Sequence, residues 1–519
     1  MQQRPQEHSM TQEEYNHIDT AFFGHPKPLS SLCFTEMWER FSFYGIQPLL
    51  ILYMVAVMNE GGLGLNEETA GAIVGLFSGS LYLAALPGGW LADNWLGQKN
   101  AVWYGALIIA LGHLSIGMSA LFGSLFFFLG LIFIVLGTGL FKTCVTVMVG
   151  TLYNEDDPRR NSGFSLFYMG INLGAFIAPF VCGSFVEHYG WHWGFGIGGF
   201  GMLVALLIFR FLATPGLRRM AEAKNIKPYW EYPATERQGV GIGVSMVLAV
   251  GACVFYLCAN GTIPINVPLV TSSLAYVITI CMGCYFVYAL CFASYTKAEK
   301  IKLSVAFLLM VSAILFFAIL EQLPSSFNLF AKEFTDRNIG GWVIPTPWFQ
   351  SVQPLFVIIF APMAGWLWLW LARRKMEISN INKFAIALII GAISYGIMYL
   401  GVKNVIDTSS LVSPMYVSLS MALLALGEIF LSPIGLSSMT MLAPTPIRGQ
   451  MMGMWYAGVA LANLVAGLIA GSVSEERIGD LPTIFMRIII AVLVAAVLLL
   501  ILNKTIQRML DRAHAETEN

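Results

Sequence analysis

The sequence predicts an all-α integral membrane protein of about fourteen spans, arranged as two six-helix bundles with two extra helices between them. Three observations carry this reading. First, 57% of the 519 residues are hydrophobic and only 11% are charged, against about 25% charged in a soluble domain, and the mean hydropathy is +0.70. A soluble fold of this length needs polar residues to cover its surface, and this chain has too few. Second, stretches of about 20 apolar residues, the length that crosses a bilayer, recur near residues 44, 78, 110, 134, 172, 202, 247, 279, 315, 357, 392, 426, 460 and 494. Third, most Lys and Arg residues fall in alternate intervals between those stretches.

Taken in order, residues 1–27 form a polar tail with Glu7, Glu13 and Glu14. The tail matches neither a cleavable signal nor an Arg-rich transit peptide, so the first apolar segment reads as a permanent span. Residues 28–213 hold six spans. The longest internal polar stretch, from Thr214 to about Gln238, reads as a linker. Two further spans, about 239–259 and 268–295, have no interior charge and read as scaffold rather than pathway; with the linker they make up 214–298. Residues 299–510 hold the last six spans, and 511–519 form a second tail. Six, two and six is the plan of carriers that build a site between two related bundles.

Orientation follows from the short loops. One set holds Lys99, Arg159, Arg160, the group from Arg218 to Arg237, Lys297, Lys300, Lys302, Arg373, Arg374, Lys375, Lys383 and Arg448, and the tails add Arg4, Lys27, Lys504, Arg508 and Arg512. The opposite set holds Lys332, Arg337, Lys403, Arg477 and Arg487. Both termini are therefore expected on the cytoplasmic side.

Ionisable residues inside spans are costly and mark function. Here they are Glu36, Glu39, Arg40, Lys142, Glu321 and Glu428, with His113 more weakly placed. Glu36, Glu39 and Arg40 stand at i, i+3 and i+4 on one helix face. Such a group can trade a proton for an ion pair; the alternative is a static clip between helices. Lys142 follows Gly137-Thr138-Gly139, which permits close helix approach. It calls for an anion, with Glu321 and Glu428 as candidates, unless it snorkels to the interface. Pro324 follows Glu321 and Pro433 follows Glu428, and broken helices beside carboxylates suit sites and hinges.

Other classes are disfavoured. The sequence contains no HExxH or GxSxG pattern, and four histidines lie in the tails, with His188 and His192 in an outer loop. His113 reads as a packed, hydrogen-bonded residue. Cys281-x-x-Cys284 lies mid-span without a second pair and reads as packing or lipid-facing cysteine, so no metal site is expected. No basic tract with interleaved aromatics suggests nucleic acid. The charges divide between halves instead of forming the rings of a channel.

Three motifs resemble the proton-dependent oligopeptide transporter family, a branch of the major facilitator superfamily, over about residues 28 to 510. Glu36-Met37-Trp38-Glu39-Arg40-Phe41-Ser42-Phe43-Tyr44-Gly45 is similar to the family's ExxERFxYYG. The run from Gly137 to Pro179, with GTGLFK and DDPRRNSGFSLFYMGINLGAFIAP, resembles its signature. Gly427 to Gly435 is similar to GExxxSPxG. A more general superfamily element, Gly89 to Lys99, places Asp93 and Lys99 where acid and base can latch neighbouring helices.

The resemblance implies a proton-coupled symporter that imports di- and tripeptides by alternating access in a bacterial inner membrane. The proton gradient would drive it without a cofactor, with protons, peptides and membrane lipid as partners. Glu36, Glu39, Arg40 and Glu321 would couple protons. Lys142 would pair with a carboxylate, Glu428 would hold the peptide ammonium, and Asn172 would bond its backbone. Tyr44, Tyr82, Ser432 and Trp455 would line the pocket. Phe43, Gln47, Phe317 and Gln353, and Thr143-Cys144, depart from common family residues, and several, Phe317 and Gln353 among them, fall near the expected pocket. Some relatives carry nitrate or other small metabolites, which is the alternative substrate class. Nothing in the residues sets an oligomeric state.

Overall fold

Fourteen long helices account for the apolar segments of the computed structural model, which describes residues 12–154, 157–224, 227–235, 237–376, 378–444, 447–474 and 476–518. The first half consists of α1 (Lys27–Val55), α2 (Glu67–Leu91), α3 (Gln98–Phe122), α4 (Ser124–Gly150), α5 (Arg160–Tyr189) and α6 (Trp191–Ile208). The extra pair is α7 (Val240–Ala259) and α8 (Val267–Val287). The second half consists of α9 (Lys297–Leu320), α10 (Val352–Arg373), α11 (Asn380–Thr408), α12 (Met415–Leu442), α13 (Arg448–Ala470) and α14 (Leu481–Glu518). Among the described residues, thirteen helices are long and apolar enough to cross a membrane. The fourteenth, α1, is 29 residues long but carries Glu36, Glu39 and Arg40 within five positions.

Local sequence sets the helix ends. Asn66 accepts the backbone N–H of Thr69 at the start of α2, and Thr296 with Glu299 forms a reciprocal capping box before α9. α9 breaks after Leu320 into a wider turn over Leu323–Phe327, where Pro324 withdraws a backbone donor. α7 has no buried residue, whereas α8 packs against α2 and α13. Arg4 in the N-terminal tail lies outside the described residues. Helix α14 continues to Glu518, so the stretch expected as a separate tail from 511 prolongs the last helix.

The two halves meet most closely where α2 crosses α13. A Cβ on Gly75 would fall 2.8 Å from the Asn463 carbonyl oxygen and 2.8 Å from Gly467 Cα, so backbone touches backbone there. At the same end Asn328 Nδ2 donates to the Pro48 carbonyl (2.7 Å) and Ser351 Oγ donates to the Phe176 carbonyl (2.7 Å). Trp348 packs edge-on against Phe180, 4.9 Å between centroids. These contacts seal the end of the interface that carries the α1–α2 connection.

The opposite end carries the short helix Gln12–Thr20 and the α4–α5 connection, joined by a polar clasp. Arg159 donates from Nη2 to Asp19 (2.8 Å) and Asp157 (3.0 Å), and from Nη1 to the Gly24 carbonyl (3.1 Å). His25 is buried, with Nδ1 2.8 Å from the Tyr153 hydroxyl and Nε2 3.2 Å from Ser162 Oγ. Burial, then the Arg159 guanidinium, holds His25 below its ordinary 6.5. The hydrogen bonds from Arg159 hold the Asp157 carboxyl below its usual range.

The expected latch between Asp93 and Lys99 takes a different form. Asp93 accepts from Gln98 Nε2 (2.8 Å), while Lys99 pairs with Glu231 (3.4 Å), which also binds Arg218. The linker folds back, donating from Thr235 and Arg237 backbone to the Asp93 and Asn94 carbonyls, and so brings a carboxylate nearer to Lys99 than Asp93 is.

Candidate functional site

Each half contributes helical stripes to one cavity of about 190 Å³. On α1 the stripe is Arg40, Phe43, Tyr44, Gln47 and Pro48; on α2, Ser78, Leu81 and Tyr82; on α4, Thr138 and Lys142; on α5, Tyr168, Ile171, Asn172, Ala175 and Pro179. The i, i+3, i+4 spacing puts each set on one face of its helix. From the second half come Phe317, Leu320 and Glu321 at the end of α9, Gln350, Gln353 and Pro354 entering α10, Glu428 of α12 and Asn463 of α13. Of the residues singled out from sequence, the cavity thus gathers Arg40, Tyr44, Tyr82, Lys142, Asn172, Phe317, Glu321, Gln353 and Glu428.

Four others lie outside its wall. Glu36 and Glu39 are buried behind Arg40. Trp455 stands edge-on against Phe317, 5.8 Å between centroids, supporting the wall from the next layer and packing on Gly435. The hydroxyl of Ser432 is buried without a hydrogen-bond partner.

The acid–base cluster on α1 is tight. Arg40 grips Glu39 with two donors, Nε to Oε2 and Nη2 to Oε1 (2.7 Å), and its Nε lies 3.4 Å from Glu36 Oε1. The three side chains are 6%, 1% and 3% exposed for Arg40, Glu39 and Glu36. Glu36 Oε2 is buried without a partner. One cation serves two acids in this buried cluster, leaving it with one negative charge in excess when both are ionised. Buried charge is tolerated only when paired, so one proton on either acid brings the cluster to neutrality.

Lys142 reaches the cavity because α4 is drawn against its neighbours by glycine. A Cβ on Gly137 would fall 2.5 Å from the Gly105 carbonyl of α3, and one on Gly139 would fall 2.6 Å from the Ala84 carbonyl of α2. The ammonium lies 4.5 Å from the centroid of the Tyr82 ring, a cation–π contact. Among the described residues no carboxylate is in ion-pair range of Lys142. The lysine therefore faces the cavity and does not snorkel.

The acids of the second half have neutral neighbours. Gln353 Nε2 donates to Glu428 Oε2 across 75 residues of sequence, and Asn463, whose Nδ2 donates to the Val459 carbonyl (2.9 Å), shares the cavity wall with Glu321. Gln47 is buried in the α1 wall. His113 lies away from the cavity, with Nε2 against Ser42 Oγ. Tyr168 and Asn463 were not singled out from sequence. Tyr168 stands four residues before Asn172 and could have been found from that spacing; Asn463 sits in an apolar run with no local signal.

The arrangement offers an unpaired cation on one half, carboxylates with neutral neighbours on the other, and aromatic and aliphatic walls between them. It suits a small ligand with charge of both signs. The POT family model matches residues 99–226 and 244–484. The chain is 52% identical over 497 residues to peptide transporter YePEPT of Yersinia enterocolitica subsp. palearctica serotype O:3 (strain YE-P4), covering 96% of this chain and 97% of that one. It is 32% identical to the di-/tripeptide transporter of Lactococcus lactis subsp. cremoris, covering 96% and 99%. Its fold is similar to a crystal structure of a mutant of peptide transporter POT in complex with alafosfalin, with TM-score 0.84 and 34% identity over 96% of this chain and 99% of that one.

Proposed function

The chain belongs to the POT family, and from that premise we propose that it is a proton-coupled symporter importing di- and tripeptides by alternating access. The observation that carries this reading is the disposition of charge in the cavity. Among the described residues Lys142 stands on the first half without an acid partner, and Glu428 stands on the second half with the Gln353 amide as its hydrogen-bond donor. A zwitterionic peptide supplies the two missing counter-charges, its carboxylate to Lys142 and its ammonium to Glu428. Fixed opposite charges select for the distance between peptide termini, while Tyr44, Tyr82 and Phe317 accept varied side chains.

Proton coupling rests on the α1 cluster and on Glu321. Protonation of Glu36 or Glu39 leaves Arg40 one firm anionic partner, and loss of the proton restores competition for it. Glu321 stands beside the break in α9, where a change in its charge acts on a helix already loosened by Pro324. Substrate charge and proton uptake thus bear on contacts between and within the halves.

The excess of Lys and Arg in one set of loops supports cytoplasmic termini and, with the bacterial relatives, a bacterial inner membrane. On that orientation the sealed contact of α2 with α13 faces outward, and the structure corresponds to a state closed to the exterior. Import requires that seal to open, receive peptide and protons, and close again.

The test is uptake of labelled dialanine into proteoliposomes, with and without an inward proton gradient. Gradient-dependent accumulation, competed by unlabelled di- and tripeptides, is expected. Exchange without accumulation would refute coupling and keep the peptide substrate. No uptake by demonstrably folded protein would refute the substrate and favour another small metabolite.

A further inference from the structure

A second cavity, of about 520 Å³, opens at the end of the molecule that carries the clasp, between the start of α1 and the end of α6. Its floor is apolar: Phe34, Ile208, Phe211 and Leu212 line it. Phe34, Phe211 and Leu212 remain 46%, 67% and 60% exposed, so this floor opens sideways, toward the lipid beside the two helices. Its rim is cationic. Lys27 is the first residue of α1, and Arg219 lies on the short helix Thr214–Ala223. Both are exposed, and among the described residues neither has an ion-pair partner.

The short helix explains why Arg219 is available. Leu217, Met220 and Ala221 are buried, which lays the helix along the protein and leaves consecutive arginines on its outer side. Arg218 is taken by Glu231; Arg219 turns to the cavity instead. The first turn of α1 adds to the positive character. It has no side-chain cap and no acidic residue, so its free end of backbone dipoles favours an anion.

We propose that this cavity binds an anionic phospholipid, with the phosphate headgroup between Lys27 and Arg219 and an acyl chain over Phe34, Ile208, Phe211 and Leu212. The complementarity is of two kinds at once: a cationic rim at the level of helix ends, and an open apolar floor one to two turns deeper. A soluble phosphate would use the rim alone and leave the floor in contact with nothing it matches. A zwitterionic lipid would place its own cation beside Lys27 and Arg219. Basic pockets at helix ends are suited to anionic headgroups for the same reason. The site is remote from the central cavity and does not depend on what that cavity carries.

The experiment is native mass spectrometry of the full chain in detergent micelles, titrated in parallel with dioleoyl phosphatidylglycerol and dioleoyl phosphatidylcholine. Wild type is expected to retain phosphatidylglycerol at least ten-fold more strongly. At about five-fold per cation near a membrane surface, K27Q/R219Q is expected to lose about 25-fold, and each single variant about five-fold. K27R/R219K is expected to retain binding. Unfolding temperatures in the same detergent micelles with added phosphatidylcholine establish that the variants are folded, and R219Q alone carries the test if the double variant is not. Equal retention of the two lipids by wild type, or wild-type retention by K27Q/R219Q, overturns the proposal. Displacement of the lipid by millimolar inorganic phosphate would assign the rim to a soluble anion and equally overturn it.

Discussion

Lys142 directs its ammonium to the face of Tyr82, 4.5 Å from the ring centroid, with a carboxylate-lined wall across the cavity. A cation held by a ring keeps its charge but forms no competing ion pair, so it remains available to a substrate anion. Cation–π contacts contribute about 0.5–2 kcal/mol, enough to hold the side chain in place and little enough to yield.

Lys142→Ala should therefore abolish concentrative uptake of dialanine, leaving less than roughly a tenth of the wild-type level. Tyr82→Phe should retain it within about two-fold, because the ring face persists, and Tyr82→Leu should weaken apparent peptide affinity by about 2- to 30-fold. Proteoliposome uptake measures all three. Wild-type accumulation by Lys142→Ala would reject the proposed role.

Glu39→Gln removes the bidentate partner of Arg40 and fixes a neutral side chain at a position proposed to exchange a proton. Gradient-driven accumulation should be lost, while counterflow exchange of peptide persists. Glu428→Gln should also abolish accumulation, and should raise the half-saturating peptide concentration in exchange, since it removes the anion offered to the ammonium. Either variant accumulating peptide as wild type does would refute that residue's assignment.

Gly75→Val places a branched side chain where even a Cβ would sit 2.8 Å from the Asn463 carbonyl. Overpacking of this kind costs about 1–3 kcal/mol, here charged to the sealed state alone. The open state should gain population about 5- to 150-fold relative to it. The check is labelling of a Gln350→Cys probe by an external impermeant maleimide, in a background lacking the eight native cysteines. Faster labelling in Gly75→Val is expected; unchanged labelling would argue that the α2–α13 contact is no gate.

The clasp should loosen in mild acid. The folded state holds His25 below its ordinary 6.5, so as pH falls through 6.5 the unfolded chain takes up a proton that the folded chain still refuses. Stability is then lost progressively from pH 6.5 down to the lowered folded value. Asp157, also held low, adds a loss only at more acid pH, as pH falls below the ordinary carboxylate value near 3.8. The melting temperature of wild type should fall between pH 7 and 5.5 by more than that of His25→Gln. Identical pH profiles would remove His25 from the account.

The membrane class, the succession of spans and the identity of the charged residues within them were legible in the chain alone. Each is a property of one segment: a run of apolar residues, or a charge within it, reads the same whatever lies beside it. Stripes such as Tyr44 with Gln47, or Tyr168 with Asn172, follow from the helical period. Partnerships were not legible, because they join segments far apart. Gln353 meets Glu428 across 75 residues, Lys99 leaves Asp93 for Glu231 on the linker, and Asn463 joins Glu321 in one cavity wall from an apolar run of α13. The polar tail near Lys27 and the linker near Arg219 become two sides of one cavity only when α1 and α6 lie side by side. Hydropathy places each helix in the membrane; only packing decides which faces meet, and with them which charges are paired and which are left free.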